Sequence, residues 1–559
     1  MKTTLSALLF VALATGLALE PPSSLGTMTP AARDPRVQAL RAEQEAVKND
    51  PARVKALENR IQEIYLETQP ALPQDGGGIT FITEPWELPQ VGDGPDIVLD
   101  TGRILATGAD YEMNGSMYVA WSRARDSSVR VAKSTDHGNT WQPLFSFRTA
   151  PVSPVRRLHL VVGAGDSAFV YVPVLHPDNN GDVTCARALR NGTGLTAFWV
   201  SHDTATINNF TFCRDYLSPY YLYCCAGNED HGPAMDDYIL RSTNFAKNWA
   251  QTNRFRFVSD GSYQAGAGQY LYVAGHAGFS PYRGHVNLLV NTLYGAPDSW
   301  RETGIMPDTF EVRYPVMAPS FYYPPSGATV WVLYSHNFEN SGDWDTRYAY
   351  STDAGLTWSP SYYLAGSVSA DEWLGDIKPY ADPGNTWMNA SYISEETYRT
   401  VYRHYCEQSN PSSWSDTLRI NTTRSAGTGQ EVRPLLVYSP GAPGTGAGCV
   451  FVGSGLNGLY WNAPWTGTAV SEELSRRTPV GFDVRPNPLT SRAAFRWNGS
   501  AQNLTVLDAA GRVVRKFDSP ASGLTWDCRD ASGTRVAAGI YFAQLLTDAG
   551  AATRLLVVE

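Results

Sequence analysis

Five loops of this chain are dense in histidine, carboxylate, guanidinium and aromatic side chains. They read SRARDSS (122–128), LHPDNNGD (175–182), AGNEDHGPAMD (226–236), GHAGFSPYRG (275–284) and HNFENSGDWD (336–345). Segments between them add Arg156, Arg157, Asp215, Glu311, Arg313, Tyr314, Asp371, Glu372, Trp373 and Asp376. Flat faces such as those of Trp344, Trp373, Tyr282 and Tyr314 stack on sugar rings, while carboxylates and guanidinium groups bond to hydroxyls. The expected ligand is an extracellular glycan or glycoprotein, held by His176, His231, Tyr282, Arg283, His336, Trp344 and Trp373. For any single one of these residues, a solvated loop position is the competing reading. Asp178, Asn180 and Asp182 alternate as the oxygen donors of a Ca2+ loop do. Gly181 is misplaced for an EF-hand and no Glu closes the loop, so a polar turn competes with bound Ca2+. No cofactor is required by any pattern in the sequence.

Such loops share one end of the molecule only if the chain is built from a repeat. Residues 134–141 read STDHGNTW and residues 351–358 read STDAGLTW. The pattern S-T-D-x-G-x-T-W suits a tight hairpin turn. The Asp accepts hydrogen bonds from turn amides, the Gly supplies positive φ, and the Trp covers the turn from the next strand. Ser134, Asp136, Gly138 and Trp141, with Ser351, Asp353, Gly355 and Trp358, are therefore structural. A degenerate copy, STNFAKNW at 242–249, has Asn for Asp and Ala for Gly, and a differently built turn is expected there. Trp stands at 86, 141, 199, 249, 300, 358, 414 and 465, at spacings of 50 to 58 residues. A period of that length, filled with short alternating strands, marks propeller blades rather than a helical solenoid. The expected class is mainly β, with a β-propeller over residues 79–465. The spacing favours seven blades, with six as the alternative. If the repeated turn joins third and fourth strands, the loops above surround the opposite end. Residues 79–88 are expected to add a strand to the last blade and close the ring.

The rest of the chain bounds where the propeller works. The 559 residues exceed one simple core, and 49 Gly with 36 Pro suit turn-rich β structure. Net charge is -10 with no basic stripe, which excludes nucleic acid as an expected partner. Residues 1–18 read as a secretory signal, with Lys2 before an apolar run and a small-residue cleavage site. No other run reaches membrane-spanning length, so the expected location is secreted or on the outer cell surface. Seven Cys in an exported chain leave at least one unpaired, and none has C-x-x-C metal spacing; a few staples or buried thiols are expected. Within residues 19–69, Val37, Leu40, Val47, Val54, Leu57, Ile61 and Ile64 recur at helical spacing. Two short amphipathic helices follow, the second starting at Pro51 with Asp50 as its cap. They pack on the propeller or mediate self-association. Residues 70–78 and 466–479 are linkers. Residues 480–559 read as short strands separated by DAAG and DASG turns, a small immunoglobulin-like sandwich.

The S-T-D-x-G-x-T-W turns resemble the Asp-box of sialidase-like β-propellers, a family that usually has six blades. That resemblance implies an exo-glycosidase cleaving terminal sialic acids as the enzymatic alternative to a binding protein. Enzymes of this kind clamp a sugar carboxylate with three Arg and use a Tyr nucleophile, a Glu partner and an Asp acid. Arg103-Ile-Leu-Ala106 stands where the family has Arg-Ile-Pro, without the Pro. Arg157, Arg313 and Arg433 are further clamp candidates. Tyr314 with Glu311, and Glu372 and Asp376, complete the candidate catalytic set. Pro486-Asn-Pro488, Gly511-Arg512, Trp526 with Gly533, and Gly539-Ile-Tyr541 together resemble the C-terminal sorting domain of type IX secretion cargo. They also resemble the immunoglobulin-like module of the flagellar hook-capping protein. The sorting-domain likeness implies outer-membrane secretion machinery as a partner. An adhesion or scaffold protein is the third reading.

Overall fold

A computed structural model of the chain describes residues 34–68, 76–89, 92–93, 96–112, 114–163, 169–177, 182–201, 207–215, 221–227, 237–255, 263–267, 270–276, 286–296, 299–305, 311–320, 329–338, 341–367, 369–382, 385–396, 398–438, 447–463, 482–485, 489–497, 500–508, 512–547 and 550–558. The chain divides into two compact units, Met1–Gly467 and Thr468–Glu559. Both are mainly β, and among the described residues no helix is long and apolar enough to cross a membrane.

In the first unit, five antiparallel four-stranded sheets follow one another along the chain. They span residues 161–199, 209–255, 263–305, 312–365 and 372–419. The second strand of each sheet is among its most buried parts, as in Leu222–Gly227, where every residue is buried. Apolar runs such as VYVPV and YLYCCA suit a strand covered on both faces, because each sheet lies between two others. The first strands touch in sequence: Asp96–Tyr111, Val161–Val162, Asn209–Arg214, Tyr263–Ala267, Val312–Pro319, Glu372–Asp382 and Leu435–Tyr438, the last returning to the first. Sheets arranged face to face around a circuit of inner strands are the architecture of a propeller.

The circuit closes through one shared strand. Asp96–Tyr111 pairs in its first half with Asn457–Asn462 and in its second half with Met117–Arg123. Its 16 residues make it long enough to serve both sheets. The expectation for residues 79–88 is therefore corrected. Ile79–Ile82 pairs with Gln142–Thr149, on the outer edge of the first sheet, and takes no part in closure.

Both S-T-D-x-G-x-T-W segments join a third strand to a fourth. Ser134 Oγ accepts the Gly138 N–H at 2.9 Å and Asp136 Oδ1 accepts the Thr140 N–H at 2.9 Å. The second copy matches, with Gly355 N–H to Ser351 Oγ at 2.8 Å and Thr357 N–H to Asp353 Oδ1 at 2.8 Å. The degenerate copy corrects the sequence reading, because it is built the same way. Ser242 Oγ accepts the Ala246 N–H at 3.0 Å, and Phe245 and Ala246 sit at φ 61 and 65. A fourth turn of this kind starts at Asn291, whose Oδ1 accepts the Leu293 and Gly295 N–H groups at 2.8 and 2.9 Å.

The two helices are Pro35–Ala46 and Pro51–Thr68. Asp34 accepts the Arg36 N–H at 2.8 Å, and Asp50 accepts the Arg53 N–H at 3.1 Å at the head of the second helix. Val37, Leu40, Leu57, Ile61, Ile64 and Tyr65 close on one another and on Ala250 of the 209–255 sheet. Val54 packs with Tyr221, Tyr223 and Leu271. Between helix and sheet lie Glu58 and Arg241, joined by an ion pair in which neither side chain is exposed. Burial raises the Glu58 carboxyl, but Arg241 and Arg41 outweigh it and hold it down to about 2. The helices thus use their apolar faces on the chain's own sheets.

The seven cysteines are free thiols; six are buried and Cys213 is half-buried. In the second unit a three-stranded sheet and a four-stranded sheet share one core, with Phe482, Phe495, Leu504, Val506, Trp526 and Leu545 inside it. The proposed signal and the 466–479 linker lie outside the described residues.

Candidate functional site

Two neighbouring inner strands carry the same irregularity. In Val312–Pro319, Arg313 pairs with Ser335 and the next pair is Val316 with Leu333. In Glu372–Asp382, Trp373 pairs with Ile393 and the next pair is Asp376 with Ser391. Each is a β-bulge with one extra residue, and each holds a non-glycine residue in the left-handed region: Tyr314 at φ 54 and Leu374 at φ 55. Strain of this kind persists where the surrounding structure fixes it, and bulges re-aim side chains.

The bulges, with the Asp343–Ser351 strand, bring three aromatic rings together. Trp344 stacks on Trp373, with centroids 6.0 Å apart and planes at 26°. Tyr314 meets Trp373 at 6.0 Å. The Arg313 guanidinium lies 5.7 Å over the Trp344 ring and bridges to Glu311 at 2.8 Å. Trp344 and Trp373 are half-buried, and the Arg313 side chain is 40% exposed. The platform is pinned from below. Trp373 Nε1 donates to Glu395 at 2.8 Å, and the Trp344 N–H donates to Asp371 at 3.0 Å. Asp345 is 5% exposed and Glu372 is 4% exposed. Burial first, then the charges of Asp345 and Asp343, push the Glu372 carboxyl up to about 7, against a hydrogen bond from the Ser367 N–H. Burial first, then Asp343, push Asp345 up to about 6.

A second polar region lines the axis of the circuit, a cavity of about 120 Å³. Arg157 and Glu431 face each other across 2.8 Å. Lys378 Nζ donates to the Ala109 carbonyl at 2.9 Å, and Arg433 Nε donates to the Gln430 carbonyl at 3.0 Å. Burial, then Arg157 and Arg433, push the His159 imidazole down to about 3, so it is neutral at physiological pH. Burial raises the Asp376 carboxyl, against the pull of Lys378, and the carboxylate accepts the Ile377 and Leu436 N–H groups at 3.0 and 2.9 Å.

The candidate catalytic residues are therefore divided. Arg157 and Asp376 line the axial cavity, with Arg433. Glu311, Arg313, Tyr314 and Glu372 lie at the aromatic platform. Arg103 is exposed where the shared strand passes from one sheet to the next. Among the described residues no tyrosine lines the axial cavity. Of the ligand-binding set, Trp344 and Trp373 meet, and His336 is buried opposite Asp345 in the ladder. His176 is buried against Trp199 at 5.1 Å, which makes it a core residue of its sheet. His231, Tyr282 and Arg283 lie outside the described residues, as do Asp178 and Asn180; Asp182 is buried. Among the described residues no group of three His, Cys, Asp or Glu side chains could hold a metal ion. Sequence reasoning singled out the loop that ends at Asp345 without choosing Asp345 itself, and missed His159 and Glu431. Asp345 stands in a D-W-D triplet, which was its only signal.

No protein-family model and no curated protein matches the chain. Solved structures do. The BP39L lectin from Burkholderia pseudomallei aligns at 12% identity and a TM-score of 0.44, over 65% of this chain and 99% of that one. The Aleuria aurantia lectin, described as a six-bladed β-propeller, aligns at 10% identity and a TM-score of 0.35, over 59% and 98%. A Penicillium chrysogenum α-L-arabinanase aligns at 11% identity and a TM-score of 0.36, over 66% and 97%. Similarity at this level says nothing about the ligand of this chain.

Proposed function

We propose that this protein is an exported seven-bladed Asp-box β-propeller that binds an extracellular glycan at the Trp344–Trp373 platform. The observation that carries the reading is the pair of stacked, half-exposed indoles, with Tyr314 and Arg313 beside them. Rigid aromatic faces with a guanidinium at the edge offer a sugar ring both its apolar contact and its hydroxyl partners. The circuit of inner strands and the Trp spacing support the count of seven blades. Export rests on the signal-like residues 1–18 and on the resemblance of residues 480–559 to a type IX sorting domain. Those features imply a secreted or outer-surface location and contact with the outer-membrane secretion machinery.

A glycan array followed by titration calorimetry tests the binding reading. Trp344→Ala and Trp373→Ala should each weaken the strongest glycan about tenfold or more, as loss of a central aromatic anchor does. Unchanged affinity in both variants, with the fold intact, would move the site elsewhere.

The enzymatic reading has one feature in its favour: burial pushes the Glu372 carboxyl up to about 7, the range in which a general acid works. Turnover of a fluorogenic sialoside, abolished by Arg313→Ala, would establish a sialidase-type hydrolase.

A further inference from the structure

We propose that the axial cavity binds a small inorganic oxyanion of phosphate or sulfate size, held by Lys378 and Arg433. The cavity shares no lining residue with the aromatic platform, so the inference stands whether or not the platform takes a glycan.

Inner strands of several sheets bring charge to this cavity. Four cations, Arg157, Arg214, Lys378 and Arg433, stand against the carboxylates of Asp110, Asp376 and Glu431. Glu431 pairs with Arg157 at 2.8 Å, and Asp110 faces Arg214 at 3.9 Å. Asp376 turns its two oxygens to the Ile377 and Leu436 N–H groups. Among the described residues, Lys378 and Arg433 are left with no carboxylate at ion-pair distance. Each directs one donor to the main-chain carbonyl of a residue that also lines the cavity, Lys378 to Ala109 and Arg433 to Gln430.

Two buried donors of the same wall are also unanswered. Arg433 Nη1 and the Thr211 hydroxyl have no hydrogen-bond partner, and Thr211 is 5% exposed. A charge held out of water without a partner is costly, and an unmade hydrogen bond adds to that cost. Burial first, then Arg157, Arg433 and Lys378, hold the His159 imidazole neutral, so three of the cations act on one part of the wall. An oxyanion supplies the missing negative charge and several acceptors together, and charge-assisted bonds to guanidinium and ammonium groups are the strong ones. At about 30 Å³ per water, a cavity of about 120 Å³ has room for about four waters. That admits one such anion and excludes a glycan chain.

Calorimetric titration of the full chain with sodium phosphate, at neutral pH and constant ionic strength, is the test. Saturable binding of phosphate and of sulfate is expected, with chloride much weaker. Arg433→Gln should weaken phosphate about tenfold, the increment of one charge-assisted hydrogen bond, and Lys378→Gln should do the same. Circular dichroism reports whether each variant keeps the fold, and the second serves if the first does not. Phosphate also stabilises proteins by exclusion from their surface, so a thermal midpoint that it raises equally in wild type and variants would overturn the site. Absence of saturable binding, or unchanged affinity in the folded variants, would do so too. Chloride binding as tight as phosphate would overturn the oxyanion class. Displacement of phosphate by N-acetylneuraminic acid at equal concentration would give the cavity to a carboxylated sugar and overturn the inorganic ligand.

Discussion

Asp345 and Glu372 are acids whose ionisation the fold shifts to higher pH, and this gives them a signature in stability. Both have folded values raised above those of an unfolded chain, to about 6 and about 7. Below about pH 3 they are protonated in both states and contribute no pH dependence. As pH rises, the unfolded chain loses these protons first, so the folded state loses relative stability. The loss ends once the folded groups ionise, near 6 and 7. A double variant, Asp345→Asn with Glu372→Gln, should therefore gain in thermal midpoint over the wild type at pH 8 and gain less at pH 4. Equal shifts at both pH values would mean that neither carboxyl is perturbed. At this scale the sequence showed residue types and little else. Trp344, Trp373, Tyr314 and Arg313 were legible as candidates because their chemistry is written in their side chains. Their meeting was not, because it depends on two bulges that carry no Gly or Pro at the left-handed positions Tyr314 and Leu374.

The repeated turns show what a motif does and does not specify. The requirement is an acceptor at the first position and two consecutive left-handed residues, not a fixed set of letters. Ser134 and Ser351 meet it with Gly at the second left-handed position, so both turns could be read from sequence. Asn291 meets it with an amide oxygen, and that turn was invisible. Residues 242–249 meet it with Ala246 at φ 65, against the expectation that Ala would change the turn. Two opposed outcomes follow. Ala246→Gly should stabilise the protein by about 1 kcal/mol, the strain of an L-residue in that region. Gly138→Ala should destabilise it by about 2 kcal/mol or more, because strain adds to overpacking. Its new Cβ would stand 2.2 Å from the Trp461 ring nitrogen. Urea unfolding of the two variants checks both signs. A destabilised Ala246→Gly would mean that the turn gains from Ala more than its backbone loses.

A propeller has one weak place, the joint at which the circuit closes, and here the joint is the shared strand Asp96–Tyr111. The sequence pointed to a closing strand and placed it at residues 79–88. Pairing could not be read there, because Ile79–Ile82 has the same alternation as a closing strand and differs only in its partner. The lock is at Asp96, which is fully buried. Its carboxylate accepts from the Thr423 N–H at 2.9 Å, the Thr423 hydroxyl at 2.7 Å and the Asn462 amide at 2.5 Å. Those donors come from the ends of the last two sheets, so one side chain of the first strand holds both. Asp96→Ala takes one of two acceptors from the buried Asn462 amide and frees the exposed Thr423 from the joint, which should cost about 1–3 kcal/mol. A loss spread evenly over the molecule would lower the unfolding midpoint and nothing else. A loss at the joint has a location. Amide exchange should rise first in Ala447–Val452 and Asn457–Asn462, while the 263–305 sheet across the circuit stays protected until global unfolding. Exchange that rises equally in both regions would mean that closure adds stability without being the place where the ring opens.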